Sequence, residues 1–235
     1  MEIHIPKMVH GWRALAKEVG IIVIGVLIAL GAEQAVQGVE WRHKTEAAEE
    51  AMRRELSKDD GPQVWGRYAM HRCIDDALDA IRAGAEKPVG RAEMVALIAR
   101  HRTPFWTWDS LAFSAANASD VSLHLPSETM HRWTLAYAAI PALNQANVKE
   151  FNDGADLAAL SRTGGPLSEA ERGQILRAVE MLRRDNATIF VGVRVALPSI
   201  YKTGVRIDPT VRQAVMAAAE RDYGKACLVA PPEPA

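Results

Sequence analysis

The chain lacks every compact signature of catalysis. Its 235 residues contain no H-E-x-x-H pair, no G-x-S-x-G turn, no phosphate-cradling glycine loop and no dinucleotide fingerprint. Seven histidines are present, but none stands beside a Cys-x-x-Cys. His71 and Cys73 are two positions apart, which on a helix sends them to different faces. The adjacent acids Asp59-Asp60 and Asp75-Asp76 diverge for the same reason. No metal and no cofactor is therefore expected, and an enzyme would need a site dispersed along the chain. Charge of one sign is also missing: 28 basic against 29 acidic residues leave a net charge of −1. That removes the basic footprint of a nucleic-acid binder, and no anionic-lipid patch is visible. No internal repeat is found.

Polar residues are missing from one stretch. From Val19 to Ala32 the chain holds fourteen uncharged residues rich in Ile, Val and Leu. A span needs roughly 20 such residues to cross about 30 Å of hydrocarbon. Past Glu33, the uncharged run to Val39 supplies the length. Trp12 and Trp41 bracket the segment, roughly 43 Å apart at helical rise, where aromatic belts sit. Glu33 marks the outer boundary. Lys7, Arg13 and Lys17 precede the segment, whereas acids and bases alternate after it. The positive-inside rule thus expects a signal anchor with a cytoplasmic leader (1–18), a transmembrane helix (19–39) and an exported domain (40–229). The rival is a cleaved signal peptide, with Ala29-Leu30-Gly31 as a small-residue cleavage site. Gly25, Ala29 and Ala32 share one helical face and permit close helix approach in lipid, hence a homodimer.

The run Glu18-Val-Gly-Ile-Ile-Val-Ile-Gly-Val-Leu-Ile-Ala-Leu30, with Trp41 after it, resembles the N-terminal segment of uncharacterised bacterial single-pass membrane proteins. In those it reads roughly E-I-x-L-V-V-I-G-I-L-I-A-L-Q before a Trp and a charged helix. Gly31 stands here in place of the Gln, and the Asn-rich stretch around the Trp is absent. The resemblance covers about residues 12 to 45. It implies an anchored protein of the bacterial inner membrane, its C-terminal domain periplasmic, and no catalytic role. Cys73 and Cys227 then face an oxidising compartment that permits a disulfide. Two buried free thiols are the alternative.

The remainder reads as all-α. A helix continues from the span to a stop at Asp60-Gly61-Pro62, a second runs to Ala83 with Gly84 closing it, and a third covers 91–100. Asp109 is expected to cap a short helix through Ala116, and 121–125 to form an extended loop. Met130, Trp133, Tyr137, Ile140, Asn144, Val148, Phe151, Ala155 and Ala158 recur every three or four residues as one long helix kinked at Pro141. After Thr163-Gly-Gly-Pro166, a Ser168/Glu171 capping box opens a helix striped by Ile175, Val179, Leu182, Asn186, Ile189, Val193 and Leu197, ending before Pro198. Its β-branched stretch 189–195 leaves a strand open. The two helices should pair as an antiparallel hairpin, with Asn144 and Asn186 as a buried amide pair that sets register. Asp208, Pro209 and Gly224 punctuate a last helix before a disordered tail, 230–235.

Phe105, Trp106 and Trp108 are the candidate binding surface, because Trp is enriched at interfaces, although packing over the helices is the plainer role. The leading expectation is a membrane-anchored helical interaction or scaffold protein with a protein partner or second copy. The alternative is a periplasmic small-molecule sensor or binding domain, which needs an apolar cavity with a few polar groups such as Asn144, Asn186, Trp106 or His124. An enzyme is third.

Overall fold

A computed structural model describes residues 11–162 and 164–233, and among these there is no β-strand. Lys7, Thr163 and the last two residues of the tail lie outside the described residues. The chain divides into two units, 1–47 and 48–235. The described residues of the first form the leading part of helix α1 (Trp12–Arg54). A helix this long forms because 19–32 lacks proline and any charged side chain, and every backbone group there bonds within the segment. Trp12 is exposed, whereas Trp41 is half-buried under the Lys44 ammonium, 4.6 Å from its ring. Nothing packs within 4 Å of a side chain that Gly25 would carry, and Ala29 and Ala32 are exposed.

The expected stop at Asp60-Gly61-Pro62 does not occur. A π turn (Glu55–Asp59) joins α1 to α2 (Asp60–Glu86), and the helical path is continuous from Leu15 to Glu86. The wider turn inserts one residue, so the Asp60 amide reaches back five positions to the Glu55 carbonyl. It also places Gly61 where a Cβ would sit 1.9 Å from the Leu56 carbonyl oxygen. Glycine and proline here shape a bulge instead of ending a helix. Gly84 is likewise inside α2, at the contact with Leu97 and Met94 of α3 (Arg91–Arg100), whose bounds are those expected.

The long helix expected over Met130 to Ala158 is two helices, α5 (Ser127–Tyr137) and α6 (Ile140–Leu160), with Pro141 in the first turn of α6. Proline there costs no hydrogen bond, so it starts a helix more readily than it kinks one. The break resets the helical phase. Ile140, Leu143, Asn147, Glu150 and Leu157 face inward, whereas Asn144 is half-buried and Val148, Phe151 and Ala155 are exposed. Helix α7 (Glu169–Lys202) opens with the expected capping box and buries all seven expected stripe residues. It is helical through 189–195 and passes Pro198, held by the buried Leu197 and Ile200 on either side. Gly192 lets α6 close on α7: a Cβ there would meet Leu143 Cδ2 at 2.5 Å. The antiparallel hairpin is formed, and α2 packs along α7 as well.

Two smaller expectations fail. Helix α4 (Leu111–Ala118) is capped from a distance, by the Glu55 carboxylate accepting from the Leu111 and Ala112 amides at 2.7 and 3.1 Å. Asp109 therefore does not cap it. Residues Val121–His124 form a 3-10 turn rather than an extended loop. The last helix, α8 (Pro209–Tyr223), matches its punctuation, with Asp208 accepting from the Thr210 and Val211 amides. The tail is ordered as far as described: Pro231 is buried and Glu233 pairs with Arg212 at 2.7 Å. Cys73 and Cys227 form a disulfide across a Cα separation of 4.9 Å, tying α2 to the segment after α8.

Candidate functional site

The apolar core of unit 48–235 is split. One cluster gathers Met52, Leu56, Trp133, Tyr137, Leu143, Ile189 and Leu197; the other gathers Ile74, Leu78, Ile81, Leu157, Val179 and Leu182. Between them, α2, α6 and α7 each interrupt their apolar stripe at the same level, with Arg67, with Asn147 and Glu150, and with Asn186. All four are at most 1 % exposed.

Arg67 is the hub. Its Nη2 donates to Glu150 Oε1 and, at 3.0 Å, to Asn186 Oδ1. The Asn186 amide nitrogen donates to the His71 carbonyl at 3.0 Å and to Asp75 Oδ1 at 2.8 Å. The expected Asn144–Asn186 pair does not form, because the new phase of α6 turns Asn147 and Glu150 inward instead. Burial pushes the Glu150 carboxyl up, and Arg67 pulls it back. Burial, then the Arg67 charge, holds the His101 imidazole down at about 4, so it stays neutral. Lys149 closes one edge, its ammonium 2.9 Å from both oxygens of Asp185, which is itself 5 % exposed.

A strap of irregular chain, 101–108, lies across this layer. Asn147 donates to the Trp106 carbonyl at 2.7 Å, and the Tyr223 hydroxyl donates to the Arg102 carbonyl at 2.6 Å. Trp106 is half-buried against both clusters, and Gly66 leaves room for it: a Cβ would meet Val215 at 2.4 Å and the Trp106 ring at 3.1 Å. Trp108 is 1 % exposed and belongs to the core. Only Phe105 faces outward, its ring 4.7 Å from Phe151. The expected aromatic surface is thus a packed strap, since indole burial outweighs display where a helix groove receives it. Shallow clefts flank it: about 490 Å³ beside Met70, Trp106, Val215 and Tyr223, and about 280 Å³ beside Ile98, His101, Phe151 and Gly154.

Arg67 Nε and Nη1, Glu150 Oε2, Asn147 Oδ1 and His101 Nδ1 have no protein partner. Each such buried group costs about 1–3 kcal/mol unless a polar atom from outside the chain meets it. No group of three His, Cys, Asp or Glu converges as a metal site among the described residues. The layer offers charge and hydrogen bonds; of the two histidines beside it, His71 is stacked 3.6 Å from Phe190 and His101 meets the Thr103 hydroxyl through Nε2 at 3.2 Å. Of the four residues that interrupt the apolar stripes, only Asn186 stood out in the sequence. Asn147 and Glu150 follow Leu143 at helical steps of four and three, with Leu157 seven residues on, a signal readable once the phase of α6 is known.

Fold and site define a class: an all-α chain with one long apolar helix near its N-terminus and a polar layer in the core of its helical domain. No family model, no curated protein and no solved structure matches it.

Proposed function

We propose that the chain is a bacterial inner-membrane protein, held by helix 19–39, whose periplasmic helical domain serves as an interaction or scaffold module. One observation carries the reading. The helix carries an apolar stretch long enough to cross a membrane, and none of that stretch is buried. Exposed apolar area on this scale calls for lipid or a partner. The Cys73–Cys227 disulfide fits an oxidising periplasm. Arg13 and Lys17 before the segment fit a cytoplasmic N-terminus. The resemblance of residues 18–30 to the leading segment of bacterial single-pass proteins points the same way. A packed core with shallow clefts suits a presenting surface better than an enclosed ligand site.

The test is fractionation of full-length protein followed by alkaline extraction, intact mass and protease protection in spheroplasts. Retention in membranes, an uncut mass and digestion from the periplasmic side are expected. A soluble product beginning at Ala32 would replace the anchor with a cleaved signal. The second reading, a small-molecule binding domain, rests on the unpartnered buried atoms around Arg67 and Glu150. A polar compound that co-purifies and is lost in Arg67→Met would favour it.

A further inference from the structure

At the C-terminal end of α7 lies a cleft of about 540 Å³ whose lining includes Arg132, Pro198, Tyr201, Lys202, Arg206 and Glu233. Three of these are cations on separate segments: Arg132 on α5, Lys202 in the last turn of α7 and Arg206 before α8. None of the three pairs with a carboxylate among the described residues, unlike Arg67, Arg82, Arg91 and Arg183. The acid in the lining, Glu233, pairs with Arg212, which lies over the Trp65 ring at 5.5 Å. Asp208, two residues past Arg206, is committed to the amides of α8. Burial and Glu233 push the Tyr201 phenol up to about 12, so its hydroxyl keeps a proton to donate. The cleft therefore gathers two guanidinium forks, an ammonium and a phenol, with an apolar floor of Pro198 and Tyr201, and among its described lining residues the one acid, Glu233, is already paired.

We propose that this cleft binds a phosphate group. A carboxylate would use two oxygens, whereas the donor set is larger and better met by a tetrahedral anion. Two sources share that chemistry, an anionic phospholipid headgroup and a soluble phosphate ester. A phosphodiester headgroup and a free phosphate ester both present the oxygens that this donor set meets. Phosphate binding itself does not depend on the anchor being retained.

The test uses full-length protein in neutral detergent. Phosphatidylglycerol and phosphatidylcholine are titrated in native mass spectrometry, and inorganic phosphate in calorimetry. The comparison is between R132Q/K202Q/R206Q and a control with equal charge loss elsewhere, R100Q/R162Q/R177Q. The cleft variant should lose about tenfold or more in affinity, given that each lost bond is charge-assisted, and the control should not. Binding of phosphatidylglycerol alone supports the headgroup; competition by inorganic phosphate supports a soluble ester. Equal loss in both variants, or no binding by the parent, overturns the proposal. Unfolding midpoints of both variants verify that each is folded, and because no arm needs membrane insertion, failure here is distinct from failure of the anchor.

Discussion

Helices α1 and α7 are both long and both rich in Ile, Val and Leu, yet they meet opposite fates. In residues 19–32 the apolar side chains surround the helix and stay exposed, Ile21 at 63 % and Ile28 at 67 %. In α7 they form one stripe, and Val179, Leu182, Ile189 and Val193 are at 0 %. A stripe asks for a neighbouring helix, while a helix apolar all round asks for a uniformly apolar surrounding. The comparison also reverses for polar groups. Residues 11–47 keep their charges on the surface, as in the Lys44–Glu40 pair at 2.6 Å. Unit 48–235 draws Arg67, Glu150 and Asn186 into its centre. Burial in the second unit is selective by position, and Arg67 and Glu150 are admitted as partners across from one another.

Each prediction presses on that contrast. The largest effect belongs to the disulfide, which closes a separation of 154 residues in the second unit. Replacing both cysteines by Ala should cost about 5 kcal/mol by chain entropy, read as a fall in the chemical unfolding midpoint, with membrane retention unchanged. Next is the polar layer. Arg67→Met leaves Glu150 buried and alone and should cost about 4 kcal/mol; adding Glu150→Leu should recover most of it. If the double variant is no better than the single, the pair is not coupled as drawn. Leu27→Arg acts on the first unit, where a central charge costs about 3 kcal/mol of insertion. Protein should shift into the alkaline-soluble fraction while the second unit melts as before.

The smallest effect depends on pH. Burial, and then the charge of Glu55, push the Asp60 carboxyl up to about 7, beside the backbone of Asp109 and Ser110. The folded state therefore holds a proton that the unfolded chain releases above about pH 4. The contribution of Asp60 is fully present at low pH and is lost as pH rises through 7. His101 acts oppositely, losing stability as pH falls from 6.5 toward 4. Asp60→Asn should thus gain about 2 kcal/mol over wild type at pH 8 and nothing near pH 4, a difference that cancels the His101 contribution. Equal gains at both pH values would remove Asp60 as the cause.

Much of the helical frame was readable. The α7 stripe, the Ser168–Glu171 box, the bounds of α3 and the Asp208–Pro209–Gly224 punctuation all rest on near-neighbour chemistry, which a linear pattern records. The candidate site was not. Asn147 and Glu150 sit where a hydrophobic stripe is broken, and a broken stripe in sequence looks like a solvent face. The α5–α6 junction compounded this by shifting phase without a glycine, so the outward residues Val148 and Phe151 imitated a core face. The basic cleft was invisible for another reason: Arg132 and Arg206 are 74 positions apart in an even scatter of charge.

By itself the sequence determined that the chain is helical, that residues 19–32 are apolar on all sides, and where α7 and α8 begin. These follow from residues within a few positions of one another, whose hydrogen bonds and side-chain spacing are local. Tertiary structure alone decided that Asp60-Gly61-Pro62 makes a bulge, that Glu55 caps a helix 56 residues away, that Cys73 meets Cys227, and that Arg67 finds Glu150. A buried charge or an unfilled cap is satisfied by whatever the fold carries to it, and that partner has no fixed distance along the chain.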